Sequence, residues 1–567
     1  ALNRAYREHF SACHRAYDLS VPFIERFFDL ALDGRRAGEA GHIGLIVANS
    51  FMKREFGSKL IEKLLPTLDL THVVDTAGAY IPGHGTPTCL LFGRNRKPVG
   101  DTVRGVLGKT GEPGRPDDPA QGKVWRAIVD QIDAAGSDSE FVSVANLPRK
   151  LLAKHPWSLG GGGAVELKEK IEAACKLRLK NVVDEIGFGA VTREDDAYFI
   201  GAAAARRNGI SEKFLRPVVV GECVRDWGIH DAEMGIWPYD EETLEAVPDP
   251  AVLRHLWPYR TQLSSRVAFG KSQIERGLAW FEYSMFFRER YRRPLSIAFA
   301  FVATHNHFVL DHGGKVFNRT APIIKLQNNA TVNDHRALTD LLNTSLACFW
   351  MKQAMHDKGN GGIGGGIASE AWERFFEFTS GAISEYPIPP HYDSNLLPSH
   401  LRFLEYVVSQ KNDIPTNAFR GLVGKCISSQ EERDWHDYHL YSIISDSPTY
   451  EDPPSLSPGE RAFEIAMARQ VAAGNLKTTW FERHGATPIT ELPAHWPEDY
   501  RRIVEKRLDV IASNPFINLI ERPEYKRRWA MEPLDDQIKA ARKSWLLDRL
   551  EDPRYWSHGD LISVASL

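Results

Sequence analysis

With 567 residues, 43% hydrophobic and 25% charged, the sequence has ordinary globular composition, enough for about three or four domains, and is neither disordered nor fibrous. Its 70 basic and 74 acidic residues leave a net charge of −4, so any nucleic-acid surface is a local patch on a chain that is no polycation. The six cysteines (Cys13, Cys89, Cys175, Cys223, Cys348, Cys426) form no C-x-x-C pair, which argues against a zinc ribbon, a thioredoxin-like centre or a disulfide framework. No apolar run reaches the roughly 20 residues of a membrane helix. A cytoplasmic protein with no membrane partner is expected.

In chain order, Phe23, Ile24, Phe27, Phe28 and Ala31 fall at helical spacing within 21–33. The run GHIGLIVANS (41–50) reads as a central strand covered on both faces. Residues 56–65 return to helical period, and 71–78 and 86–94 read as two further strands. This order is the back half of an α/β sheet domain. Residues 97–122, rich in Pro, Gly and charge, read as a linker. Residues 123–183 read as mostly helical around the tract SLGGGG (158–163). A β-rich region follows from about Ile186, with a hairpin signal at His312-Gly313-Gly314-Lys315. Next come a helix over 334–353, a glycine tract (359–367) and the prolines of ISEYPIPP (383–390). After His400 the sequence is helical, charged and rich in Trp and Tyr. The first residue is Ala1, and Leu567 closes on DLISVASL without a stop signal, so a chain cut at both ends is expected.

The segment from YDLSVPFIERFFDLALDG to GTPTCLLFGR (17–94) resembles the part of gamma-type adenine methyltransferases that follows their N-P-P-Y catalytic loop. Longer motifs carry the resemblance further: SFMKREFG, GAYIPGHGTPT, WPYRTQLSSR, AFVATHNHFVLDHGGKVFNR, DKGNGGIGGGI and WFERHGATPITELPAHWPE. With these the chain is similar, over nearly its whole length, to the BREX type 2 (phage growth limitation) adenine-specific DNA methyltransferases. The resemblance implies S-adenosylmethionine as methyl donor, double-stranded DNA as substrate, and other phage-defence proteins as partners. It also implies a chain that starts after its own catalytic loop.

Such an enzyme needs a glycine turn for the cofactor and a D/N/S-P-P-aromatic loop for the flipped base. IGFGA (186–190) lies after the α/β segment instead of opening it and reads as a turn. DPPS (452–455) has Ser455 where an aromatic is required, and SNPF (513–516) lacks the second proline; both read as helix-flanking turns. No catalytic residue is therefore assigned. The resemblance places Asn49 and Ser50 at the cleft, with a strand-end cap as the alternative. It places Tyr80 and Pro82 beside the flipped adenine, although Ile81 separates the two, and packing under the hairpin is the alternative for Tyr80.

The run FFRERYRRP sets Arg288, Arg290, Arg292 and Arg293 among aromatics, a pattern suited to phosphates and guanine edges or to a solvated turn. Arg225, Tyr259 and Arg260 are further candidate DNA contacts, as are Lys352 and Lys358 beside the glycine tract. His305 and His307 alternate on one strand face but lack a third ligand, so no metal is expected. The expected architecture is α/β. Residues 1–97 form part of a Rossmann-like methyltransferase sheet and 98–180 a linker and helical connector. Residues 181–395 form an α+β target-recognition domain and 396–567 a helical extension. A DNA-binding adaptor without chemistry is the alternative function.

Overall fold

The computed structural model describes residues 2–529, apart from 84, 226, 227, 231, 360–369 and 391–415, and scattered positions between 539 and 550. The chain is mixed α/β, with several small sheets and many helices.

The largest sheet has the order β1-β3-β2-β4-β5, formed by β1 (His42–Ala48), β2 (Asp69–Asp75), β3 (Thr88–Arg94), β4 (Thr102–Gly108) and β5 (Val142–Pro148). β3 runs antiparallel to both β1 and β2, β2 pairs with β4 in parallel, and β5 closes the far side antiparallel to β4. The sheet is therefore mixed, and a doubly wound Rossmann sheet is not what these five strands alone make. β4 and β5 arise from the segment expected to be linker and helical connector. Val103 and Leu107 of β4 and Leu147 of β5 face one apolar cluster while Val106, Val142 and Val144 face another, so both faces of these strands are covered.

β1 behaves unlike its neighbours. HIGLIVA is one of the most apolar stretches in the chain, yet it lies at the sheet edge, and its residues are at best half-buried. Ile46 is 57% exposed. The helix Ser20–Leu30 packs beside it and buries Val21, Ile24 and Phe28. The other expected core residues of that helix, Phe23 and Phe27, face outward with Leu19 and Leu30 at intervals of three and four, a second apolar face. Residues 49–67 are a chain of short 3-10 and π turns where a regular helix is expected.

The central region builds a four-stranded antiparallel sheet in the order 308–311, 296–299, 323–326, 183–187. The turn at Gly313-Gly314, both at positive φ, is not a hairpin: Phe308–Asp311 pairs with Ser296–Phe299, whereas Val316–Phe317 joins Leu215–Val219 in parallel. The helix expected over 334–353 is two, Val332–Leu342 and Ser345–Ala354. Asn343 breaks it, because its amide holds both the N–H and the C=O of Phe308 (3.0 and 2.7 Å).

The C-terminal helices share the central core. Trp435, Tyr438, Tyr441, Ile517 and Tyr525 pack in the same cluster as Leu346, Phe349 and Trp350. A buried polar lattice stitches the two together. Asp434 accepts from the Ser345 N–H (2.8 Å) and from Lys526 (2.9 Å), Lys526 also meets Glu521 (2.8 Å), and Tyr438 donates to Glu521 (2.5 Å). Burial, opposed by Lys526, lifts Glu521 to about 7.

Candidate active-site cleft and nucleic-acid interface

The carboxyl ends of β1, β2 and β4 converge on a cavity of about 160 Å³. In open α/β sheets, ligand sites form at such strand ends. β1 delivers Asn49, β2 delivers Asp75, and β4 delivers Gly108 and Lys109; Gln353, Asp357 and Arg374 wall the far side. The Asn49 backbone N–H donates to Pro87 (3.0 Å), fixing the turn out of β1. Its side chain is 9% exposed, and Oδ1 has no hydrogen-bond partner among the described residues. A buried polar atom left unpaired costs about 1–3 kcal/mol, so Asn49 presents an acceptor poised for a donor. Ser50 is buried next to it but does not line the cavity; its carbonyl accepts from the N–H groups of Lys53 (3.2 Å) and Arg54 (2.9 Å).

Lys53 and Asp75 also line this cavity, and the sequence singled out neither. The Lys53 amine donates to the Gln353 carbonyl. Burial and the neighbouring Lys168 bring the amine down to about 7, against the pull of Asp75 and Asp357. Burial raises Asp75 above the usual carboxylate range, although it accepts the Ala77 N–H (2.9 Å). A Cβ at Gly108 would stand 2.5 Å from Asp75 Oδ2, so any larger residue there would displace the Asp75 carboxylate. The available sequence signals were the spacing of Lys53 one turn after Asn49 and an aspartate closing the apolar run THVVD.

Tyr80 and Pro82 sit on the β2–β3 connection and do not line the cavity. Tyr80 is half-buried under the Arg115 guanidinium, 5.5 Å from its ring centroid, and Pro82 is exposed. The glycines of IGFGA do not fit S-adenosylmethionine. A Cβ at Gly187 would meet the Arg290 guanidinium at 2.7 Å, and one at Gly189 the Tyr291 hydroxyl at 2.2 Å, so the protein's own side chains fill the space.

Each arginine of the basic run meets a carboxylate: Arg288 with Glu245, Arg290 with Glu185 (2.9 Å), Arg292 with Glu289 (2.8 Å) and Arg293 with Asp184 (2.5 Å). Arg292 is the most exposed of them. Arg290 is largely buried, lies over the Phe287 ring and donates to the Phe188 carbonyl. Arg225 donates to the carbonyls of Gly221 (2.6 Å) and Val224 (2.7 Å). Tyr259 packs on an aromatic core, and Arg260 stacks over Trp257 at 4.7 Å. Lys358 is exposed on the strand His356–Gly359. Lys352, expected at the surface, is buried: it lines the strand-end cavity, donates to the Glu524 carbonyl and faces the Phe376 and Tyr525 rings at 5.0 and 5.8 Å. Most of the glycine tract, 360–367, lies outside the described residues.

His305 and His307 are held well below their usual pKa by burial and by the cations Lys352, Arg527 and Arg528, surroundings that disfavour a metal ion. Among the described residues no group of three or more potential ligands converges.

Over 590 aligned residues the chain is 43% identical to the adenine-specific methyltransferase PglX of Streptomyces coelicolor. The resemblance to this methyltransferase family holds. The match covers 98% of the chain but 48% of PglX, so the chain spans about half the length of that relative. A family model described as a domain of unknown function, DUF7008, matches residues 426–567. Two solved structures are also similar. One is the type IIL restriction-modification enzyme MmeI in complex with DNA (10% identity, 71% of this chain, 47% of that one, TM-score 0.42). The other is the type IIG restriction endonuclease BpuSI (12% identity, 74% and 48%, TM-score 0.30). At these scores neither defines a shared fold.

Proposed function

We propose that these residues form part of a site-specific adenine DNA methyltransferase of a phage-defence system, carrying the far side of its catalytic sheet and its DNA-specificity region. The carrying observation is β1. An apolar strand with one edge unpaired among the described residues, flanked by a helix with a second apolar face, is a template for further strands and helices. The 43% identity to about half of PglX supports the same assignment. In this proposal the rest of the enzyme pairs with β1 and brings S-adenosylmethionine, whose methyl group goes to the adenine exocyclic amine. Duplex DNA is the substrate, with the target base extruded from the stack. The residues described here bind and orient: the unpaired Asn49 carbonyl sits at the strand ends, ready for a donor such as an amine. Alone, the 567 residues do not transfer methyl groups.

The test is methyl transfer to duplex DNA with labelled S-adenosylmethionine. The chain by itself should give no product and no calorimetric binding of the cofactor. Supplying the cofactor-binding half of the parent in trans should restore adenine methylation. Tight cofactor binding by the chain alone would overturn the proposal. Normal assembly of the two halves without methylation would leave the adaptor alternative standing in its place.

A further inference from the structure

Strands Val267–Ala268 and Lys271–Ser272 pair as a hairpin closed by two residues, Phe269 and Gly270, both at positive φ (54° and 79°). That is the geometry of a type I′ turn, whose first position favours Asn, Asp or Gly. Phe269 is therefore strained where it stands, and the residue is 85% exposed. The fold gains nothing visible from it. Val267 and Ile274 beside it are also exposed, at 51% and 56%.

The base of the hairpin, in contrast, is rigid. Arg266 is buried and donates to the carbonyls of Leu263 (2.9 Å), Trp280 (3.2 Å), Glu282 (2.6 Å) and Thr192. Gln273, wholly buried, ties back to Ala279 and Glu282. Arg276 donates to the Ser284 carbonyl (2.6 Å) and to Gln273 (2.7 Å), and Arg193 to the Val267 carbonyl.

The charge here differs from that of the 288–293 run. Among the described residues no carboxylate pairs with Arg193, Arg266 or Arg276; their partners are carbonyls, an amide, the Ser284 hydroxyl and the Tyr198 ring. Partial burial, and Arg193 and Arg266 standing near it, pull Arg276 below its usual range. Glu275 is committed to the Ser272 N–H and hydroxyl (2.6 Å each). Lys271 is exposed on the hairpin itself. A rigid mount, the exposed cations Arg193 and Lys271, and a projecting aromatic are the elements of a device that holds phosphates while a side chain enters the base stack.

We propose that this hairpin is a DNA probe whose Phe269 ring inserts at a base step of the bound duplex. The inference rests on the assignment of duplex DNA as substrate and adds a residue that nothing else assigns. It is tested on the full 567-residue chain with a labelled duplex, by anisotropy and by 2-aminopurine fluorescence, which rises when stacking is broken. The wild-type chain should bind and raise the fluorescence. Phe269→Ala should weaken binding roughly tenfold and abolish the rise, whereas Phe269→Trp should retain both. Phe269→Asn suits the turn, so it should lose the fluorescence signal while melting no lower than wild type. Wild-type binding with an unchanged Phe269→Ala isotherm would overturn the probe alone, leaving a protein partner for the ring. A fall in melting temperature for Phe269→Asn would make the ring structural and overturn it too. Failure of the wild-type chain to bind duplex at all would overturn both the probe and the DNA assignment beneath it.

Discussion

At the scale of the residue, the FFRERYRRP arginines show how a charge pattern in sequence can divide into different tasks. Arg290 fills the space above Gly187, stacks on Phe287 and pairs with Glu185, so much of its contribution is to the fold. Arg290→Ala should cost about 1–3 kcal/mol of stability, mainly by removing the largely buried guanidinium from the partly buried Glu185 carboxylate and Phe188 carbonyl. Arg292→Ala, at an exposed pair, should change stability by less than about 0.5 kcal/mol. Thermal unfolding of the two single variants checks this, and equal losses would contradict the division. Asn49 and the histidines show the same limit of legibility. Asn49 was placed at the cleft by the resemblance to the methyltransferases, and the structure puts it on the wall of the strand-end cavity. Lys53 and Asp75 were not singled out, because their importance comes from the encounter of turns and strands far apart in sequence. The four arginines look alike in sequence because their carboxylate partners lie between 3 and about 110 positions away.

At the scale of the element, the Asp434–Lys526–Glu521 lattice joins the C-terminal helices to the Ser345–Ala354 helix. Lys526→Met leaves the carboxylates of Asp434 and Glu521 buried without their cation and should cost about 3–5 kcal/mol, read from urea unfolding. The pH dependence follows from Glu521. Its folded pKa of about 7 lies above its unfolded value, so the folded state holds a proton that the unfolded state has lost between roughly pH 4.5 and 7. Its contribution is therefore fully present below pH 4.5 and lost as pH rises through 7. Glu521→Gln should flatten the stability profile over that window, and an unchanged slope would assign it to other groups. Strands were legible where apolar runs were bounded by turn residues, as β1, β2 and β3 were. β4 and β5 were hidden by the Pro, Gly and charge around them. The break at Asn343 was hidden as well, since the side chain serves a strand more than 30 residues earlier.

At the scale of the whole molecule, the account depends on β1 being an interior strand of a larger sheet. A mismatch between apolar sequence and edge position is visible only when the pattern and the coordinates are taken together: HIGLIVA promises an interior strand, and among the described residues it has one neighbouring strand and an exposed Ile46. Ile46→Lys should leave the isolated chain folded and reduce its self-association, while abolishing recovery of methylation with the cofactor-binding half in trans. The most direct measurement is amide hydrogen exchange along β1. Antiparallel pairing with β3 satisfies alternate N–H groups and turns the rest outward. In the isolated chain the outward set among Ile43–Ala48 should exchange quickly, and it should become protected when the cofactor-binding half is added. Protection of the whole strand in the isolated chain, with no change on addition, would contradict the account.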